Sequence, residues 1–234
     1  MLSFLGWIDG ITATGVIVFG LIFGIFFFYK SRKSNAKILK YLALAVTFAG
    51  LMFLGVFLDF IIVLLTNNNL DNTNGLVGIL SYIWLAPAIV TAIYIGAELI
   101  TPSKKMFYLI AFLILSLIFE VLIFLNPMGT FEFRDPTIPG ESLIDYNVNV
   151  ISLAGILMAG FLLSVIILLG IGFLIKSFQS TGVLKRKFLL ISIGSLCFCI
   201  FGLLEGLTVP GVALILVRVG YLSSFWFMYY GLKV

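Results

Sequence analysis

Seven apolar segments divide this sequence of 234 residues, and each is close to the roughly 20 residues that a helix needs to cross a bilayer. They cover residues 8–29, 38–65, 76–100, 106–125, 148–175, 188–209 and 212–230. The chain is 62% hydrophobic and 10% charged, which is far more apolar than a soluble domain. The segments lack the strict alternation of barrel strands. The sequence therefore predicts an all-α polytopic integral membrane protein, with residues 1–234 forming a single domain of seven transmembrane helices.

The basic residues predict the orientation of these helices. Of the 14 Lys and Arg residues, all but Arg134 and Arg218 lie in or directly beside the first, third and fifth loops or at the C-terminus. Cytoplasmic loops of multi-pass proteins carry an excess of Lys and Arg. We therefore expect a multi-pass protein of the cell membrane, with its N-terminus outside and its C-terminus in the cytoplasm.

Two charged residues lie inside the last two apolar segments. Glu205 precedes the Pro210-Gly211 turn and Arg218 follows it, at similar distances from the turn. A charge in hydrocarbon is unfavourable, so such residues usually pair, face the bundle interior or line a water-filled path. Glu205 and Arg218 are therefore predicted to be partners. A pair that only locks the last helical hairpin is the structural alternative.

Further polar groups reach the same level of the bundle. Asp59 in the second segment and Glu120 in the fourth lie, like the pair, about 6–9 Å below the outer surface. Three acids then face one Arg, so either some carboxylates are protonated or a cation neutralises them. Tyr82 and Trp84 in the third segment could hold such a cation against their ring faces. Alternatively, Asp59 and Glu120 each point at water or at a loop.

The longest outer loop, residues 126–147, contains a strand-like pattern. Apolar and polar residues alternate over Thr130–Arg134, and turn signals follow at 135–136 and 139–140. The pattern predicts a short β-hairpin over the outer mouth of the bundle. A solvated loop is the alternative.

The residue types that carry most enzyme chemistry are missing from the sequence. It contains no His, no nucleotide-binding loop, no metal-ligand cluster and no Ser/His/Asp set. It therefore predicts a protein that is not an enzyme and that has no cofactor and no metal.

Cys197 and Cys199 point to different helix faces, so a disulfide between them is not expected. The net charge of +4 follows from membrane orientation and does not indicate a nucleic-acid partner.

One part of the chain resembles a known family. The stretch Leu42–Ile61 contains an acid, Asp59, close to its end. The stretch Leu80–Pro87 contains two aromatic residues followed by Pro, and the polar pair Thr101-Pro102 ends the next helix. This half of the chain resembles the seven-transmembrane input region of bacterial and archaeal sensor histidine kinases. The resemblance implies a sensing half that contains Asp59, Tyr82, Trp84 and Pro87. No kinase domain follows in the sequence, so a stand-alone sensor would need a partner to signal.

These features favour a receptor-like or sensory membrane module. Its outward-facing polar pocket would bind a small cationic ligand through Asp59, Tyr82, Trp84, Glu120, Glu205 and Arg218. The basic loops at 30–40 and 176–187 would contact a cytoplasmic or membrane signalling partner, or the anionic lipids of the bilayer. One alternative is a small transporter in which the acids carry protons or cations. Another is a structural subunit of a larger membrane complex.

Overall fold

The computed structural model describes residues 2–206, 208 and 211–233. Most of this chain is α-helical, and the two short strands stand between the seventh and eighth helices. The α-helices are α1 (Phe4–Ser34), α2 (Lys37–Leu51), α3 (Leu54–Thr66), α4 (Leu76–Tyr82), α5 (Leu85–Ile100), α6 (Lys105–Leu125), α7 (Pro127–Thr130), α8 (Leu153–Val165), α9 (Gly172–Phe178), α10 (Gly182–Glu205) and α11 (Val212–Lys233).

Six helical stretches of the described chain are long and apolar enough to cross a membrane. A seventh is obtained when α2 and α3, which meet at a bend of 43°, are counted as one span. Two of the spans are composite: α4 and α5 together form Leu76–Ile100, and a π-helical turn at Ile166–Ile171 joins α8 to α9 within Leu153–Phe178. The prediction of an all-α polytopic membrane protein is thus confirmed, with six to seven candidate spans.

The predicted β-hairpin is present. Strand β1 (Phe131–Arg134) pairs antiparallel with β2 (Asp145–Val148). Because β2 and the turn after it occupy the start of the predicted fifth apolar segment, the helix there begins at Leu153 and not at residue 148. The backbone N–H of Ser3 donates to the carbonyl of Glu141 at 2.7 Å, so the N-terminus lies at the same end of the bundle as the hairpin. We call this end the hairpin end.

The second apolar segment is broken where the sequence predicts one continuous helix. Helix α2 ends at Leu51, and Met52 and Phe53 separate it from α3. The first N–H groups of a helix lack partners within the helix. One of them is satisfied from another element, because the N–H of Gly55 donates to Oγ of the buried Ser81 at 3.0 Å. After the break, α3 packs against α4, which contains Ser81.

The helices pack closely where glycines meet. Gly20 of α1 lies against Gly50 of α2, and a Cβ on either residue would press into the backbone of the other helix. This agrees with the small-residue packing expected between membrane helices. Among the spans, Leu76–Ile100 is the most buried and Pro102–Leu125 the least. Helix α5 therefore lies at the centre of the bundle, and α6 lies at its edge.

Candidate ligand-binding site

Arg218 is the centre of a buried polar cluster at the hairpin end. Its side chain is only 4% exposed, and its Nε donates to Oε1 of Glu205 at 2.9 Å. Its Nη1 donates to the carbonyl of Asp9 and to Oγ1 of Thr12, each at 2.8 Å. The same nitrogen forms an ion pair with the Asp9 carboxylate. The predicted pairing of Glu205 with Arg218 is confirmed, whereas Pro210 of the predicted turn lies outside the described residues.

Asp9 is a second partner of Arg218 that the sequence pattern does not predict, because the first apolar segment is predicted to begin only at residue 8. The helix, however, begins at Phe4, so Asp9 lies more than one turn inside it. That depth resembles the depth of Arg218 within α11, which begins at Val212. A depth counted from the N-cap residue Ser3, and not from the predicted start at residue 8, places Asp9 near the level of Arg218.

A cavity of about 80 Å³ lies against this cluster. We call it the polar cavity. That volume is enough for several water molecules. Its charged lining residues are Asp9, Asp145, Glu205 and Arg218. Three tyrosines also line it, namely Tyr82, Tyr146 and Tyr221. The predicted hairpin forms part of its wall, because Asp145 and Tyr146 belong to β2.

The lining of the polar cavity contains more acidic than basic side chains. Its lining holds three carboxylates and one guanidinium. Arg134 approaches Asp145 only loosely, at 3.6 Å from Nη1 to Oδ2, and its side chain is 55% exposed. Burial raises the pKa of Asp145, and the nearby Arg134 charge opposes this rise. Oε2 of Glu205 and Oδ2 of Asp145 are both buried without a hydrogen-bond donor among the described residues. The acidic lining of the cavity is therefore not fully paired by the described residues.

Aromatic rings lie in and next to the lining of the polar cavity. The ring of Tyr82 lies 5.2 Å from that of Phe131 and 6.0 Å from that of Tyr146. Burial raises the pKa of Tyr146, so its phenol stays neutral. The Arg218 guanidinium lies over the ring of Phe53, at 5.4 Å from its centroid. The faces of aromatic rings attract cations. The lining thus combines two features that favour a positively charged ligand.

Asp59 does not line the polar cavity. It is fully buried, and its carboxylate accepts hydrogen bonds from the backbone N–H groups of Leu70 at 2.7 Å and Ile144 at 2.8 Å. The side-chain amide of Asn69 adds a third bond at 3.1 Å. These donors come from the loop after α3 and from the segment before β2. Asp59 therefore fastens two loops to α3. The four charged residues do not form the expected single layer, because Asp59 is separate from Glu205 and Arg218.

Glu120 and Trp84 also lie outside the lining of the polar cavity. Glu120 lines a separate groove between α5 and α6, together with Pro87. Trp84 stacks on Phe48, with ring centroids 6.0 Å apart. Of the six residues predicted for the pocket, the structure brings together Tyr82, Glu205 and Arg218.

Glu120 gives a prediction about stability. Both of its carboxylate oxygens are buried without a donor among the described residues. We expect Glu120→Gln to raise the free energy of unfolding by about 1 kcal/mol, because burying an ionisable group without a partner costs more than burying a neutral amide. The measurement is an unfolding titration in mixed micelles. Glu98→Gln is the control, since Glu98 pairs with Lys105 at 2.8 Å and its loss should lower stability slightly. A marked loss in Glu120→Gln would show that the carboxylate has a favourable partner.

No protein-family model matches this chain, and no curated protein is significantly similar to it in sequence. The resemblance to sensor histidine kinase input regions therefore stays a prediction.

Proposed function

We propose that this protein is a receptor-like membrane module that binds a small organic cation in the polar cavity and signals through a partner. The observation that carries the proposal is the charge balance of the cavity. Three carboxylates face one buried guanidinium, and two carboxylate oxygens lack a donor among the described residues. Among those residues, no group of His, Cys, Asp or Glu is arranged to hold a metal ion. This favours an organic ammonium group over a divalent metal.

The proposed orientation directs the cavity outwards. Counting α2 and α3 as one span gives seven spans, so the two termini lie on opposite sides of the membrane. The basic loops at 30–40 and 176–187 then lie at the end opposite the hairpin end. With basic loops in the cytoplasm, the polar cavity opens to the outside. The basic face remains available for a signalling partner or for anionic lipid.

A binding test addresses this proposal directly. The protein in lipid nanodiscs is titrated with tetramethylammonium by calorimetry, with empty nanodiscs as the blank. We expect saturable binding that Asp145→Asn weakens about tenfold, because a loss of about 1.4 kcal/mol is modest for a buried charge partner. Asp71→Asn is the matched control, because Asp71 is exposed in the loop after α3 and accepts from Thr73. Absence of binding, or equal effects of the two substitutions, would contradict the proposal.

A transporter is the second candidate, and the broken helices favour it. Transporters often place substrates at discontinuous helices. The residues at the break between α2 and α3, Met52 and Phe53, line the polar cavity, as does Tyr82 at the end of α4. Uptake of labelled tetramethylammonium into proteoliposomes separates the two functions. A receptor binds the cation without accumulating it, whereas a carrier shows uptake that Asp145→Asn reduces.

A further inference from the structure

A second cavity lies inside the bundle, next to the polar cavity. Its volume is about 90 Å³, and residues of α2, α5, α8, α10 and α11 line it. Nearly all of its lining is hydrocarbon, so we call it the apolar cavity. The two cavities share four lining residues, namely Met52, Tyr82, Gly202 and Tyr221. They therefore meet at a common wall, with carboxylates on one side and aliphatic side chains on the other.

Small side chains create the space of the apolar cavity. Ala45 and Ala49 of α2 face it from one side, and Ala88 and Ala92 of α5 face it from the other. All four are buried. A larger aliphatic residue at any of them would fill part of the volume, and an unfilled apolar cavity destabilises a protein. The space is therefore best explained by an occupant that replaces the missing side-chain volume.

The wall and the lining can adapt to such an occupant. Met52 lies in the break between α2 and α3, and Met158 and Met228 line the apolar cavity. Methionine is unbranched and flexible, and it fits irregular ligand shapes. The lining follows α2 from Leu42 to Met52, which is about 15 Å along the helix. That distance suits an alkyl chain of medium length.

We propose that the two cavities together bind one single-chain amphiphile, with a cationic amine head in the polar cavity and an alkyl tail in the apolar cavity. This inference rests on the proposed function of the polar cavity and names the class of ligand. The head would lie near the carboxylates of Asp145 and Glu205. The rings of Tyr82 and Tyr221 stand where head and tail join, and they can contact both parts.

Chain length provides the test. The protein in lipid nanodiscs is titrated with tetramethylammonium and with octyltrimethylammonium, and partition into empty nanodiscs is subtracted. We expect the octyl compound to bind at least about tenfold more tightly, because several methylenes leave water for the apolar cavity. Octyl sulfate has the same tail with an anionic head, and it should not bind. Equal affinities of the two ammonium compounds would overturn the inference.

A filled cavity shows where the tail lies. Ala88→Leu should remove the advantage of the octyl compound and leave tetramethylammonium affinity unchanged. Ala92→Val fills less space and is the second variant. If Ala88→Leu does not fold, Ala92→Val should still reduce the advantage of the octyl compound. Ala159→Leu is the matched control, because Ala159 is exposed on α8 and lies outside the lining. A loss of the octyl advantage in the control as well would overturn the inference.

The same titrations separate the two proposals. If tetramethylammonium binds and Asp145→Asn weakens it, but chain length has no effect, the amphiphile inference fails and the proposed function stands. If neither compound binds above the blank, both proposals fail.

Discussion

Arg218→Gln should lower the free energy of unfolding by about 3–5 kcal/mol, because it leaves the partly buried acids Asp9 and Glu205 without their shared, buried cation. Removing one partner of a buried ion pair destabilises far more than the intact pair stabilises, since the remaining charge is already desolvated. Here one guanidinium serves two carboxylates, and it also donates to Thr12. Arg218→Lys should recover only part of the loss, because an ammonium lacks the planar fork that reaches both acids.

Unfolding titrations in mixed micelles measure this effect. Arg134→Gln is the control, because the Arg134 side chain is 55% exposed and its contact with Asp145 is long. It should change stability by less than about 1 kcal/mol. Combining Arg218→Gln with Glu205→Gln removes one of the orphaned charges, so the double variant should be more stable than Arg218→Gln alone. A double variant with the summed losses of both single variants would contradict the role of the cluster as one unit.

Asp59→Ala should lower the free energy of unfolding by about 3–5 kcal/mol as well, for a different reason. The substitution removes the acceptor for the N–H groups of Leu70 and Ile144 and for the amide of Asn69. Each buried donor left unsatisfied costs about 1–3 kcal/mol. The loss should be local at first, because the bonds hold two loops to α3. The hairpin end should therefore loosen before the rest of the bundle unfolds.

Hydrogen exchange detects this loosening. In Asp59→Ala, the amides of Leu70 and Ile144 should exchange much faster, and proteases should cut the hairpin loop more readily. Asp71→Ala is the control, because Asp71 is exposed and bonds to Thr73 in its own loop. It should change stability by about 0.5 kcal/mol or less. Unchanged protection at Ile144 in Asp59→Ala would contradict the fastening role.

The sequence predicts the helices well because membrane spans are encoded locally. Apolar length alone marks each span, and the alternation over Thr130–Arg134 marks the first strand of the hairpin. The breaks within spans are not encoded in this way. Met52 and Phe53 are as apolar as their neighbours, and the donor N–H of Gly55 finds its acceptor on Ser81 in another helix. Such a break depends on a tertiary contact that no local pattern contains.

The site is predictable only in part for a related reason. The depth of a residue along a helix can be counted from the sequence. Glu205 and Arg218 have similar predicted depths, and they form an ion pair in the structure. The direction in which a side chain points around the bundle cannot be counted in the same way. Asp59 has the same predicted depth, yet it turns towards two loops, and Glu120 turns into a groove between α5 and α6. The carboxylate of Asp145 enters the cavity only because the hairpin folds over the bundle.

The contact between Asp9 and Arg218 joins residues that are 209 positions apart in the chain. During biosynthesis, the first span therefore enters the membrane long before its counter-ion has been made. A nascent chain that stops before α11 holds Asp9 and Glu205 without the guanidinium that neutralises them. Insertion of the last span is then the step that closes the bundle, and chains truncated before it should be recognised by membrane quality control and degraded.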